Sequence, residues 1–231
     1  MVDIRANSAH TSTSIDSLVK KMVNLALAKE HKRLPIKRED ITSKVLVHQE
    51  RRMFKTVFQH AQLKLMDVFG MEMTELPPKQ DITTSQRRAT QKIKKHSTRK
   101  SWILSTTLPP KYRTPSILIP TKAPSANEEA IYTGLYTFII AVITLNGPSL
   151  NEDKLMRYLK RAKADVHTPI DRTDKLINRL CRDRYLVRTR EVDENEDVVL
   201  YMVGPRGRIE VGSKGVDGLV EEVFRSPPPS P

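Results

Sequence analysis

Hydrophobic positions in this 231-residue chain recur at two spacings, and the switch between them outlines the elements. Ile15, Leu18, Val19, Met22, Val23 and Ala26 fall three and four apart, which predicts an amphipathic helix started by Ser14 as N-cap. Leu34-Pro35-Ile36 breaks it, and a short helix follows through Ile41, Val45 and Leu46. Phe54, Val57, Phe58, Ala61, Leu65, Val68 and Phe69 form the strongest stripe, ended by Gly70 as C-cap. Beyond Gly70 the period drops to two. Met71 to Leu76 alternates as a strand, and Trp102 to Leu108 reads as its partner. Residues 77–100 between them have no hydrophobic period and read as a mobile loop, and a Pro-rich linker fills 109–126.

The same order returns in the second half. A helix over roughly 128–145 contains the apolar run Leu135 to Leu145, short of the ~20 residues a bilayer requires, so it reads as a helix buried on most sides. Asn146-Gly147-Pro148 stops it, with Gly147 in a left-handed C-cap. Ser149 and Glu152 fit a capping box for a helix over roughly 150–163. A third helix, roughly 169–184, takes Thr168 as N-cap and Pro169 at its first position. Tyr185 to Val192 and Val198 to Val203 make a hairpin around the acidic turn 193–197. Residues 35–41 and 148–155 occupy the same place in each half. Three helices and a hairpin, twice over, predict a mainly α fold with small β-hairpins (α+β), a tandem winged helix. The expected boundaries are 14–108 and 127–212, with a disordered N-terminus over 1–13 and a C-terminal tail over 213–231 that is disordered from Ser226.

Charge changes this picture. Residues 1–120 hold 23 Lys/Arg and 10 Asp/Glu, and residues 121–231 hold 17 of each, so the net +13 belongs to the first half. Such a balance favours a polyanion, nucleic acid ahead of an anionic membrane or an acidic protein. Cys181 is the only cysteine, which excludes an intrachain disulfide and suits a reducing compartment. The N-terminus lacks the apolar core of a secretory signal, so a soluble, intracellular chain is expected.

Two basic regions stand out. Within 77–100, Arg87, Arg88, Lys92, Lys94, Lys95, Arg99 and Lys100 follow one another with no acid after Asp81. In the second half, advancing ~100° per residue puts Arg172, Lys175, Arg179 and Arg182 in one quadrant, opposite Ile177, Leu180 and Cys181. Lys154, Arg157 and Arg161 likewise share a face opposed by Leu155 and Leu159, and Arg188 and Arg190 extend the positive surface into the hairpin. Residues 154–190 hold 12 basic against 4 acidic side chains. One such helix reads as a solvated face. Two in succession, in a fold that docks on duplexes, point to double-stranded DNA. Few aromatics accompany these charges, so backbone contact is expected rather than base stacking. Binding that neutralises ~6 phosphates should lose roughly a thousandfold in affinity between 50 and 200 mM salt.

Catalytic patterns are missing. The six histidines fall in no HExxH or CxxC…H arrangement, and the glycines of Gly204-Pro-Arg-Gly-Arg and Gly212-Ser-Lys-Gly miss phosphate-loop spacing. Cys181 lies near the core face of its helix and reads as a packing thiol. A non-enzyme with no cofactor or metal, no membrane partner and no small-molecule substrate is expected. Leu63 and Met66 lie off the stripe of their helix, and Leu25 and Leu27 flank the core face of theirs. Packing between the halves and docking of another protein both account for them.

Leu65 to Leu76, Gly134 to Leu159 with its Asn-Gly turn, and Tyr201-Met-Val-Gly-Pro-Arg206 together resemble the MAGE homology domain, a tandem winged-helix module, over about residues 15–212. A short chain that is nearly all MAGE domain looks most like the branch serving the SMC five–six complex. That resemblance implies a nuclear, chromatin-associated scaffold in DNA repair, recombination and chromosome maintenance. It implies a RING-type ubiquitin ligase subunit (non-SMC element one) on the first winged helix, where Leu25, Leu27, Leu63 and Met66 suit the contact. It also implies the kleisin (non-SMC element four) on the second, with Tyr132 and Tyr136 as candidates, the SMC five–six heads reached through the kleisin, and double-stranded DNA. Segment 77–100 is longer and more basic than the family's usual hairpin connection, so no family role transfers to it. Two other readings stand beside this one: a MAGE-type regulator of a RING ligase outside an SMC complex, and a tandem winged-helix transcription factor.

Overall fold

The computed structural model describes residues 3–46, 48–77, 100–113, 125–193 and 196–225, and separates them into two compact units. Segments 78–99, 114–124 and 226–231, expected to be loop, linker and tail, lie outside the described residues.

In the first unit, helix α1 (Asp3–His31) leads into strand β1 (Ile36–Lys37), helix α2 (Arg38–Lys44), a 3₁₀ turn (His48–Met53), helix α3 (Phe54–Phe69) and strands β2 (Met71–Glu75) and β3 (Ser101–Thr106). The helix starts at Asp3 rather than at Ser14, and residues 3–13 are helical where irregular chain was expected. No Gly or Pro occurs between residues 3 and 34, so nothing halts the helix N-terminal of Ser14. Leu18, Val19, Met22, Val23 and Ala26 are all buried against Val57, Ala61 and Leu65 in one core. Each fully buried aliphatic side chain there contributes ~1.5–3 kcal/mol. Trp102 joins this core and packs on Phe58 with ring centroids 5.1 Å apart. The stripe on α3 runs short of its sequence extent, since Val68 and Phe69 are exposed. Periodicity gives the direction of a side chain but not whether a neighbour reaches it.

In the second unit, helix α4 (Ala126–Asn146) is followed by strand β4 (Leu150–Asn151), helices α5 (Glu152–Arg161) and α6 (Thr173–Arg182), strands β5 (Leu186–Asp193) and β6 (Glu196–Val203), and helices α7 (Pro205–Glu210) and α8 (Gly212–Phe224). Helix α4 meets the length and hydropathy of a membrane span, yet Tyr132, Tyr136, Ile139, Ile140, Ala141 and Ile143 form the centre of this unit's core.

Both sheets have one topology: order β1-β3-β2 in the first unit and β4-β6-β5 in the second, antiparallel throughout. Ile36 pairs with Trp102 and Leu150 with Tyr201 at matching places. This repeated helix–strand–helix–helix–hairpin is the tandem winged helix.

Two helix starts and one helix end in the second unit differ from expectation. Leu150-Asn151 is drawn into the sheet, so α5 begins at Glu152 with Asn151 as its cap, accepting from the Asp153 amide at 2.9 Å, and Ser149 caps nothing. Helix α6 begins at Thr173, because His167 and Arg172 form a β-bridge and Thr168 closes a loop onto Asp171 instead of capping. Gly147 ends α4 at φ 132°, ψ −161°, outside the left-handed helical well that Gly70 does occupy at φ 59°, ψ 34°. At the C-terminus, residues 213–224 are helix rather than tail, with Val216 buried in the core.

Candidate nucleic-acid and partner interfaces

Helix α5 turns Leu155 and Leu159 fully into the core. Lys154, Arg157 and Arg161 therefore point the other way. All three are exposed and form no ion pair with another described residue. They are one concentrated positive face.

Helix α6 is different. Arg172 precedes the helix as its N-cap residue and holds Asp174 through Nε at 3.1 Å and Nη2 at 3.3 Å. Lys175 Nζ lies 3.7 Å from Asp171. Arg179 is drawn inward: its guanidinium stacks 4.1 Å from the Tyr132 ring centroid, and its Nε lies 3.8 Å from Asp183. Asp183 is almost completely buried and accepts from the Tyr132 hydroxyl at 3.1 Å, with Arg182 Nε at 3.6 Å from its outer oxygen. Arg179 thus ties α6 to α4, and its assignment to a DNA-facing quadrant is corrected. The signal lay in the sequence: of the four acids among residues 154–190, Asp171, Asp174 and Asp183 stand within four residues of a base of α6.

On β5, Arg188 and Arg190 are both exposed and, two residues apart, share a face of the strand. Arg188 lies 3.7 Å from Glu152, which also accepts from the Tyr201 hydroxyl at 2.9 Å. Burial, and then the Glu152 hydrogen bond, raise the Tyr201 phenol and keep it protonated. Glu152 lies two residues before Lys154, on the opposite side of α5, so the Arg188 pair and the open face of α5 point different ways. Burial likewise raises the Cys181 thiol, opposed by nearby Arg188, which agrees with a packing role. The other basic candidates, Arg87, Arg88, Lys92, Lys94 and Lys95, lie outside the described residues.

The partner candidates divide in the same way. Leu63 and Met66 are exposed on α3, 64% and 45%, whereas Leu25 and Leu27 are half-buried against the first core. Tyr132 and Tyr136 are corrected to core residues. Tyr132 is 1% exposed and Tyr136 8%, stacked on Tyr185 with centroids 4.2 Å apart, so neither ring is available for docking. Both share one helical stripe with Ile139, Ile140 and Ile143, the core face of α4, where Tyr185 completes an aromatic cluster. Among the described residues, no group of three His, Cys, Asp or Glu side chains could hold a metal ion.

The MAGE homology domain model matches residues 22–214. The chain belongs to the MAGE homology domain family. It is 28% identical over 215 residues to "Non-structural maintenance of chromosome element 3" of Schizosaccharomyces pombe, covering 90% of this chain and 64% of that one. It is 25% identical over 214 residues to "Non-structural maintenance of chromosomes element 3 homolog" of Homo sapiens, covering 91% and 62%. This chain therefore spans a little under two thirds of each relative's length. A solved chain from an "Nse1-Nse3-Nse4 complex" superposes with a TM-score of 0.69 at 20% identity, covering 92% of this chain and 91% of that one, which establishes a shared fold.

In this MAGE domain the segments that carry the family resemblance are structural. Gly70 turns α3 into β2, its amide reaching the Leu65 and Met66 carbonyls. In Tyr201 to Arg206, a Cβ on Gly204 would come within 2.2 Å of the Arg184 carbonyl oxygen, so the turn requires glycine. Arg206, 1% exposed, hydrogen-bonds Glu210, which also accepts from the Tyr185 hydroxyl.

Proposed function

We propose that this MAGE domain is the non-SMC element three-type subunit of an SMC five–six complex, a non-catalytic, DNA-binding scaffold in DNA repair and chromosome maintenance. It would bridge a RING-type ubiquitin ligase subunit and the kleisin on chromatin in the nucleus. Similarity to the two curated relatives over nine tenths of this chain supports the assignment, as does the fold shared with a chain of an Nse1-Nse3-Nse4 complex.

The observation that carries duplex binding is the open cationic face of α5: Lys154, Arg157 and Arg161 all exposed without a described acid partner. Exposed Arg172, Lys175, Arg182, Arg188 and Arg190 add positive charge elsewhere on this unit, the first four with part of it offset by neighbouring carboxylates. For the RING subunit we assign Leu63 and Met66, with Phe69, 41% exposed, on the same side of α3. For the kleisin the outer stripe of α4 replaces the buried tyrosines: Leu135, Phe138 and Val142 are only partly buried, and Leu145 follows at helical spacing, 67% exposed.

The test is affinity purification of the tagged chain from its source cells. Co-purification of the kleisin, a RING subunit and SMC arms is expected. Recovery of a RING protein with neither kleisin nor SMC arms would replace this reading with a MAGE-type ligase regulator, and sequence-selective duplex binding by the chain alone would favour a transcription factor.

A further inference from the structure

The first unit has its own cationic surface, at the corner where its second and third helices begin. Between residues 37 and 55 the sequence holds six Lys/Arg and three Asp/Glu, spread among apolar positions so that no run is visible. Folding gathers them. Lys37 ends β1 opposite Ser101, and the Arg38 amide donates to the Lys100 carbonyl at 3.1 Å. The Arg38 guanidinium lies 4.7 Å from the centroid of Phe54, the first residue of α3, and Arg51, Arg52 and Lys55 flank Phe54 in the chain. Lys37, Arg38, Arg51, Arg52 and Lys55 are all exposed.

Of the nearby described acids, Asp40 is held by Lys29 at 2.7 Å and Glu75 by Lys100 at 3.1 Å, while Glu39 is exposed beside Arg38. The equivalent corner of the second unit begins its second helix with Glu152, a carboxylate bound to Tyr201 and Arg188, where the first unit has Arg38. Net positive charge at this corner is therefore a property of these residues and not of the shared fold. The apolar positions assigned to a RING partner are elsewhere on α3: Lys55 and Met66 are eleven residues apart, ~16 Å along the axis.

We propose that Lys37, Arg38, Arg51, Arg52 and Lys55 form a second site for the phosphate backbone of duplex nucleic acid, on the first winged helix. It deepens the duplex-binding reading above and rests on it. Contacts of this kind are sequence-independent and salt-sensitive, each phosphate neutralised adding ~0.9 to the slope of log affinity against log salt.

The test compares the full chain with two charge-reversal variants, K37E/R51E/K55E in the first unit and K154E/R157E/R161E in the second. Arg38 is left in place because it packs on Phe54. Fluorescence anisotropy with a 30-base-pair duplex is measured across a salt series, and circular dichroism and melting confirm the fold. Each variant should bind more weakly, the first-unit variant with its slope reduced by about 2–3. If the first-unit variant binds like the full chain while the second-unit variant is weakened, this inference falls and the duplex-binding reading stands. If the unmodified chain binds no duplex, both fall. Unchanged duplex binding with lost binding to polyglutamate would reassign the corner to an acidic protein partner and also overturn the proposal.

Discussion

At the scale of single residues, exposure separates cations that can meet a ligand from cations that hold the fold. Arg179 belongs to the second group: the Tyr132 ring lies beneath it and buried Asp183 beside it. A cation over an aromatic face, partly desolvated, is worth up to ~2 kcal/mol, and Asp183 would lose part of its compensation. Arg179→Ala is therefore expected to cost about 2 kcal/mol in urea denaturation, while Arg182→Ala, 65% exposed, should stay within ~0.5 kcal/mol. Arg179→Lys should not restore stability, since an ammonium cannot stack as a planar guanidinium does. Asp40 gives a pH-dependent counterpart. Burial alone would raise its carboxyl, but the Lys29 hydrogen bond and charge outweigh it and hold the value below 3.8. A depressed folded value contributes stability present above the unfolded value and lost as pH falls through the folded one. Asp40→Asn should thus lower the melting temperature at pH 7, and the difference from the parent should shrink as pH falls through the folded value of the carboxyl.

At the scale of elements, the local periods were legible and their ends were not. The stripe of α1, the pairing of β2 with β3, and the β5–β6 hairpin follow from spacing alone, because burial of one face fixes each. The starts of α5 and α6 were misplaced because β4 and the His167–Arg172 bridge took residues that local capping rules assign to helix. A long-range strand pairing decided the first and a local bridge the second. Helix α8 was invisible for another reason: Gly212, Gly215 and Gly218 depress its intrinsic propensity, and only packing of Val216 and Leu219 into the second core offsets that. The candidate site was half legible. Lys154, Arg157 and Arg161 fall on an open face as their spacing predicts, and the acids that pair with α6 stand within four residues of its bases, whereas the inward turn of Arg179 onto Tyr132 depends on a helix distant in sequence. Two variants test these accounts. Gly204→Ala should destabilise the second unit severely, because the Arg184 carbonyl is backbone and cannot yield as a side chain would. Truncation after Gly212 should expose part of the second core and lower its melting transition without moving one from the first unit.

At the scale of the whole molecule, the question is which charges the duplex meets. Net charge sits in the first half of the sequence, yet the second half, neutral overall, still offers on α5 a face without ion pairs to other described residues. Association with a polyanion is governed by the charge left after internal pairs are formed, since a phosphate must displace a carboxylate before it gains an arginine. Helices α5 and α6 should therefore contribute unequally although the sequence makes them equally basic. Neutralising Lys154, Arg157 and Arg161 to alanine should reduce the slope of log affinity against log salt by about 2–3, each side chain releasing its own counterion equivalent. Neutralising Arg172, Lys175 and Arg182 instead removes the cations paired with Asp171 and Asp174 and leaves Asp183 to Arg179 and Tyr132, so affinity should drop through added negative charge while the slope changes by less than about 1.5. Anisotropy titrations of both variants across one salt series compare the two directly. Equal slope changes would mean that the α6 pairs open on the duplex and that the two helices act as one surface.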